Sequence, residues 1–142
     1  MAVAMQQHSS DVEVALVELR LVPAADMVPG ARHHVRRALE LHFDETTVDT
    51  AELVVSELLS NAIRHTAPGE VIRLRITPRA GGLLRIEATD TNPSAPDYVV
   101  AGDEDEGGRG LFLVRAVAVG FGWDPIIGGK ALWVHLADGT RR

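Results

Sequence analysis

Glu52–Thr66, ELVVSELLSNAIRHT, is the stretch whose reading decides the rest of the chain. As a helix it places Val54, Leu58 and Ala62 on one stripe, the spacing of a buried face. Glu57, Asn61 and His65 fall inside the same stripe, four residues apart. Burying a carboxylate or an amide without a partner costs about 1–3 kcal/mol. Such a helix either satisfies its polar groups within a core or turns them towards a cleft, a metal or a ligand. The spacing alone leaves both readings open.

The chain's 142 residues suit one domain with a sizeable core. Hydrophobic content of 46% and charged content of 24% read as soluble and globular. Aromatics make up only 4%, so the core must be built from Val, Leu, Ile and Ala. A net charge of -6 argues against a nucleic-acid-binding surface. Without cysteine there is no disulfide, no Cys-ligated zinc and no thiol nucleophile. No signal-peptide pattern is visible, which together with the missing cysteines makes the cytoplasm the expected location. No apolar run approaches the roughly 20 residues of a membrane span, so no membrane association is expected. Lys130 is the single lysine, and no Gly-Lys-Ser/Thr ending offers a P-loop.

Outward from the opening stretch, residues 1–12 read as a flexible tail, 13–138 as one domain and 139–142 as a second tail. A strand is expected at about 14–22, ended by Pro23, with a bulge or slip where the apolar phase shifts between Leu16 and Val17. Asp26 can cap a helix reaching about Leu41. Arg32, Arg36 and Arg37 on its flank read as a solvated face or as a docking surface for an acidic partner. Asp44–Thr47 supplies a second cap, and the organising helix runs from about 45 to 66, stopped by Ala67-Pro68-Gly69. Strands near 70–78 and 83–90 form a hairpin through Gly81-Gly82. Asp90 is in phase with the inward row Leu84, Ile86 and Ala88, as a cap for the next turn or as a ligand-reading group. Residues 92–109 form a long loop of the kind that serves as a lid, and its run Asp103–Glu106 reads as solvated. Gly107–Gly110 precede a buried helix over Leu111–Val119, whose open N–H groups could receive a phosphate. Strands near 120–127 and 131–137, turned at Gly128-Gly129, close the domain. There is no internal repeat.

The departures complement one another chemically. Asn61 offers an amide oxygen suited to Mg²⁺, which binds through few protein ligands plus phosphates. Asp90 can accept from an exocyclic amine such as that of adenine. Gly107–Gly110 offer a phosphate cradle, and Glu57, one turn before Asn61, can act as a general base. Together they describe a Mg-nucleotide site without a P-loop.

These residues resemble the GHKL ATP-binding superfamily. Glu57–His65, ELLSNAIRH, is similar to its N-box, Asp90–Pro96, DTNPSAP, to its G1 box, and Gly107–Val114, GGRGLFLV, to its G2 box. The short chain, the helix before the N-box and the GGRG lid end resemble the anti-sigma factor serine/threonine kinase branch. The resemblance spans about residues 14–137. It implies an α/β two-layer sandwich, with helices on one face of a mostly antiparallel mixed sheet. It implies Glu57 as the base that activates a serine or threonine on an anti-anti-sigma (STAS-type) protein, and Asn61 as the holder of Mg²⁺. For ATP it implies contacts from Asn61, His65, Asp90, Asn92, Pro96, Gly107, Gly108, Arg109, Gly110, Leu111 and Phe112. Arg32 and Arg36 would meet partners, among them a sigma factor, and a homodimer is expected. The chain departs from the family pattern at Asn92, where a small polar residue is usual, and near Ala131, where a threonine is common. Its lid is short and acidic. The competing function is a catalytically weak nucleotide-binding switch that acts by partner capture alone. Glu57 and Asn61 together favour the enzyme. The catalytic half of a sensor histidine kinase is disfavoured, since it would need a phospho-accepting histidine on a dimerisation helix.

Overall fold

The computed structural model describes residues 14–96 and 114–139. Five strands form one sheet: β1 (Val17–Leu21), β2 (Ile72–Arg79), β3 (Leu83–Asp90), β4 (Gly120–Ile126) and β5 (Gly129–Ala137), in the order β1-β2-β3-β5-β4. Helices α1 (Met27–Leu39) and α2 (Glu45–His65) cover one face. This is the expected two-layer α/β sandwich. All four described strand pairings are antiparallel, in keeping with the mostly antiparallel sheet expected, and no parallel pairing occurs among the described residues.

The register explains the layer. Val17, Ile76, Ile86 and Val134 lie in one cross-strand row, and Leu19, Leu74, Ala88 and Leu132 in the next. With period-two alternation these rows face the helices. They meet Ala31, Val35 and Leu39 of α1 and Val54, Val55, Leu58, Leu59 and Ala62 of α2, all buried. An aliphatic core results, as the scarcity of aromatics requires.

Local chemistry sets the ends of each element. Asp44 caps α2, its carboxylate accepting from the Thr47 N–H at 2.8 Å. Asp26 precedes α1 without a side-chain cap, so the expected cap there is absent. Its backbone carbonyl accepts from the Gly30 N–H instead, and α1 ends at Leu39, leaving Leu41 exposed. The phase shift near Leu16 coincides with the start of β1 rather than a bulge inside it. Gly81 and Gly82 turn the β2–β3 hairpin with φ of +85° and +72°. The β4–β5 turn is Ile127-Gly128, one residue earlier than expected. Gly129 is already paired, and a Cβ there would lie 1.8 Å from the Asp90 carbonyl oxygen. Gly139 remains tied to the fold, its N–H donating to Thr47 Oγ1 at 2.8 Å and its carbonyl accepting from the Asp44 N–H at 2.7 Å.

On the outer face of the sheet, most charges are matched. Arg85 donates to Glu87 at 2.9 Å and lies over the Trp133 ring, and Arg75 faces Glu18 at 3.4 Å. Arg20 stands directly opposite Arg73, a like-charge pair of the kind that costs about 0.2–1 kcal/mol. No described helix is long and apolar enough to cross a membrane.

His135, stacked with Trp133 at 4.9 Å, has its pKa lowered from 6.5, first by burial and then by the charges of Arg85 and Arg79. The folded chain therefore binds this proton less readily than the unfolded chain. Its contribution to stability is complete above the unfolded value and is lost as pH falls towards the folded one. We expect His135→Gln to flatten the loss of stability between about pH 7.5 and about pH 5. Denaturant unfolding of both chains across that range checks it, and equal slopes would contradict the assignment.

Candidate functional site

The polar members of α2 separate by depth. Asn61 is buried at 1% exposure, while Glu57 and His65 are half-buried. A helix face that points mainly at the sheet carries Asn61 inwards with Leu58 and Ala62. Both Oδ1 and Nδ2 of Asn61 lack a hydrogen-bond partner among the described residues. An interior amide normally finds partners, and leaving one unpaired costs about 1–3 kcal/mol. Among the described residues Asn61 is thus not satisfied as a core amide, which leaves the ligand-facing reading of α2 open.

Asp90 ends the inward row of β3, with the side chain fully buried. Its two oxygens divide the two roles open to it. Oδ1 accepts from the Asn92 N–H at 2.8 Å and from Lys130 Nζ at 3.1 Å, so it caps the turn. Oδ2 has no partner among the described residues. Lys130 lies directly opposite on β5 and also donates to the Asn92 carbonyl at 3.0 Å.

Asn92 braces this turn against α2. Its Nδ2 donates to the His65 carbonyl at 3.1 Å, and its Oδ1 accepts from the Ser94 N–H at 2.9 Å. Both ends of the amide are engaged inside the fold, which makes Asn92 a positioning group rather than a free ligand. Pro96 is buried at the end of this segment. The C-cap residue Thr66 is also buried, and its Oγ1 is unpaired. Three side chains with unpaired buried polar atoms thus belong to two elements that Asn92 ties together. Gly107, Gly108, Arg109, Gly110, Leu111 and Phe112, with the acidic run, lie outside the described residues.

Lys130 and Thr66 were missed in the sequence. Lys130 had a signal: it is the one charge in phase with Leu132, Val134 and Leu136, as Asp90 is on β3. Thr66 had none, because a threonine after a helix reads as an ordinary stop. Arg36 and Arg32 differ in kind. Arg36 donates to Glu52 at 2.8 Å and pairs with Asp49, clamping α1 to α2, and these carboxylates raise its pKa further. Arg32 is exposed.

The donor set fits a magnesium nucleotide. No cluster of three His, Asp or Glu able to hold a metal exists among the described residues, so a cation here would depend on few protein ligands and on phosphates. Asn61 Oδ1 is suited to that cation, and Asp90 Oδ2 to a base amine.

Residues 21–129 match the family described as histidine kinase-like ATPase domain. No curated protein matches the chain. Among solved structures, that of the RsbU and RsbW domains of Rv1364c from Mycobacterium tuberculosis is similar, with a TM-score of 0.61 and 16% identity over 89% of this chain and 33% of that one. The mycobacterial sensor histidine kinase MprB aligns with a TM-score of 0.55 and 18% identity, over 88% of this chain and 100% of that one. The histidine kinase domain of the Erythrobacter litoralis EL346 blue-light activated histidine kinase gives 0.51 and 24%, over 64% and 47%. At these identities the likeness is one of fold. The chain spans only a third of the Rv1364c structure it matches.

Asn61→Leu, close in shape and without polar atoms, should stabilise the ligand-free chain by about 1–2 kcal/mol, since it removes an unpaired buried amide. Denaturant unfolding measures this, and a loss of stability would mean that the amide is satisfied within the core.

Proposed function

Because the chain belongs to the histidine kinase-like ATPase domain family, we propose that it is an ATP-dependent serine/threonine protein kinase that acts as an anti-sigma factor. It phosphorylates an anti-anti-sigma protein of STAS type and sequesters a sigma factor. The observation that carries the nucleotide part is the pair of unpaired buried groups, the Asn61 amide and Asp90 Oδ2, in a mainly aliphatic interior. The RsbW domain within the similar Rv1364c structure supports the kinase branch.

The residues take distinct roles. Asn61 holds Mg²⁺ through Oδ1, and Asp90 accepts the adenine amine at Oδ2, a contact guanine would meet with a carbonyl oxygen. Lys130 and the Asn92 N–H fix the Asp90 carboxylate in one orientation. Mg²⁺ and ATP, when bound, supply the phosphoryl group and neutralise its charge. Glu57 lies one turn before Asn61 and is half-buried, so its carboxylate can take the proton from an acceptor hydroxyl. His65 would serve the phosphates, as the family resemblance also implies for Gly107–Phe112. Arg32, exposed on α1, meets the protein partners, while Arg36 supports that surface from within.

A positioned base contributes about 10²–10⁴ in rate and little to ground-state binding. Glu57→Ala should therefore keep ATP affinity within a few-fold and lose most phosphate transfer to a STAS-type substrate. Transfer from labelled ATP with calorimetric ATP binding as control tests this. Unchanged transfer would remove Glu57 from catalysis. A wild-type chain that binds ATP and partner but transfers nothing would favour the switch reading.

A further inference from the structure

The outer face of the sheet carries its own anomaly, beside the strand end that holds Asp90. Arg20 on β1 and Arg73 on β2 are cross-strand partners, and both are exposed. Neither has a carboxylate within ion-pair distance among the described residues. Their neighbours on the same face differ: Arg75 has Glu18 at 3.4 Å, and Arg85 has Glu87 at 2.9 Å. Arg75 and Arg85 are thus compensated, whereas the opposed Arg20 and Arg73 are not.

Arg20 and Arg73 line a surface cavity of about 280 Å³ whose wall also includes Thr89, Ile126, Ile127 and Gly128, and which Asp90 and Thr91 border at the end of β3. Ile127 is fully exposed and Ile126 is 43% exposed, on the β4–β5 turn. Two uncompensated guanidinium groups beside a protruding apolar turn form a mixed surface. The cationic centre calls for an anion, in a chain whose net charge is -6. The apolar rim calls for more than a small ion, and two bare isoleucines have no use against a nucleic-acid backbone.

We propose that this cavity docks an acidic segment of a partner protein, one that brings carboxylates to Arg20 and Arg73 and an apolar side chain to Ile126 and Ile127. Such a surface is separate from Arg32, which lies on α1. The bound carboxylates would relieve the repulsion between the arginines, so the pair is more stable in the complex than alone.

Arg73→Glu separates this from a purely structural role, because it changes two observables in opposite directions. It gives Arg20 an opposite charge across the strand, so the melting temperature should rise by a few degrees. It also reverses half of the cationic centre, so binding of an acidic peptide should weaken tenfold or more. The probes are a synthetic peptide rich in glutamate and leucine, its glutamine counterpart, and inorganic phosphate, titrated into the isotope-labelled full chain and followed by amide NMR shifts. The glutamate peptide should shift β1, the start of β2 and the β4–β5 turn, and the other two probes should not. Arg37→Glu, an equal charge change on α1, should leave the peptide affinity within twofold. Equal binding by Arg73→Glu, equal binding of the glutamine peptide, or phosphate shifting the same signals without any advantage for the peptide would each overturn the proposal.

Discussion

The ion pair between Lys130 and Asp90 fixes the end of the sheet on which the site depends. Both side chains are withdrawn from water, and the contact joins directly opposed positions of β3 and β5. A buried pair of this kind gains little net stability, while removing one partner costs about 3–5 kcal/mol. Its effect here is geometric. Lys130 and the Asn92 N–H hold Oδ1, which leaves Oδ2 as the free acceptor, and Asn92 in turn holds the end of α2 through the His65 carbonyl. One contact thus positions a turn, a helix end and an unsatisfied carboxylate oxygen.

The rest of the core is organised to tolerate that polarity. The rows Val17–Ile76–Ile86–Val134 and Leu19–Leu74–Ala88–Leu132 supply continuous aliphatic burial beneath α2. Away from the site, the Arg36 clamp and the Asp44 cap satisfy their polar groups within the chain. Unpaired buried atoms belong to Asn61, Thr66 and Asp90. Leaving these groups open costs stability, a pattern expected where a site is kept for binding.

Much of the fold was legible because period-two and helical spacing carry direct information about faces. Glu52–Thr66 read correctly as a helix with Asn61 turned inwards, and Leu84–Asp90 as an inward row. Ends were less legible where long-range contacts set them. The β4–β5 turn moved because Gly129 must admit the Asp90 carbonyl, a contact between residues 39 positions apart. Asp26 looked like a cap but bonds through its backbone. Arg36 looked free because Asp49 and Glu52 belong to the next helix. Lys130 was missed because the last strand was expected to begin at 131, which left its in-phase charge outside the inward row that it joins opposite Asp90.

On the proposed function, Asn61 and Asp90 are left unpaired in order to hold a magnesium nucleotide. Calorimetric titration of the wild-type chain with ATP, with and without Mg²⁺, tests it most directly. The account predicts saturable binding that weakens at least tenfold, about 1.4 kcal/mol, when Mg²⁺ is withheld. Equal affinity under both conditions, or no binding at all, would contradict it.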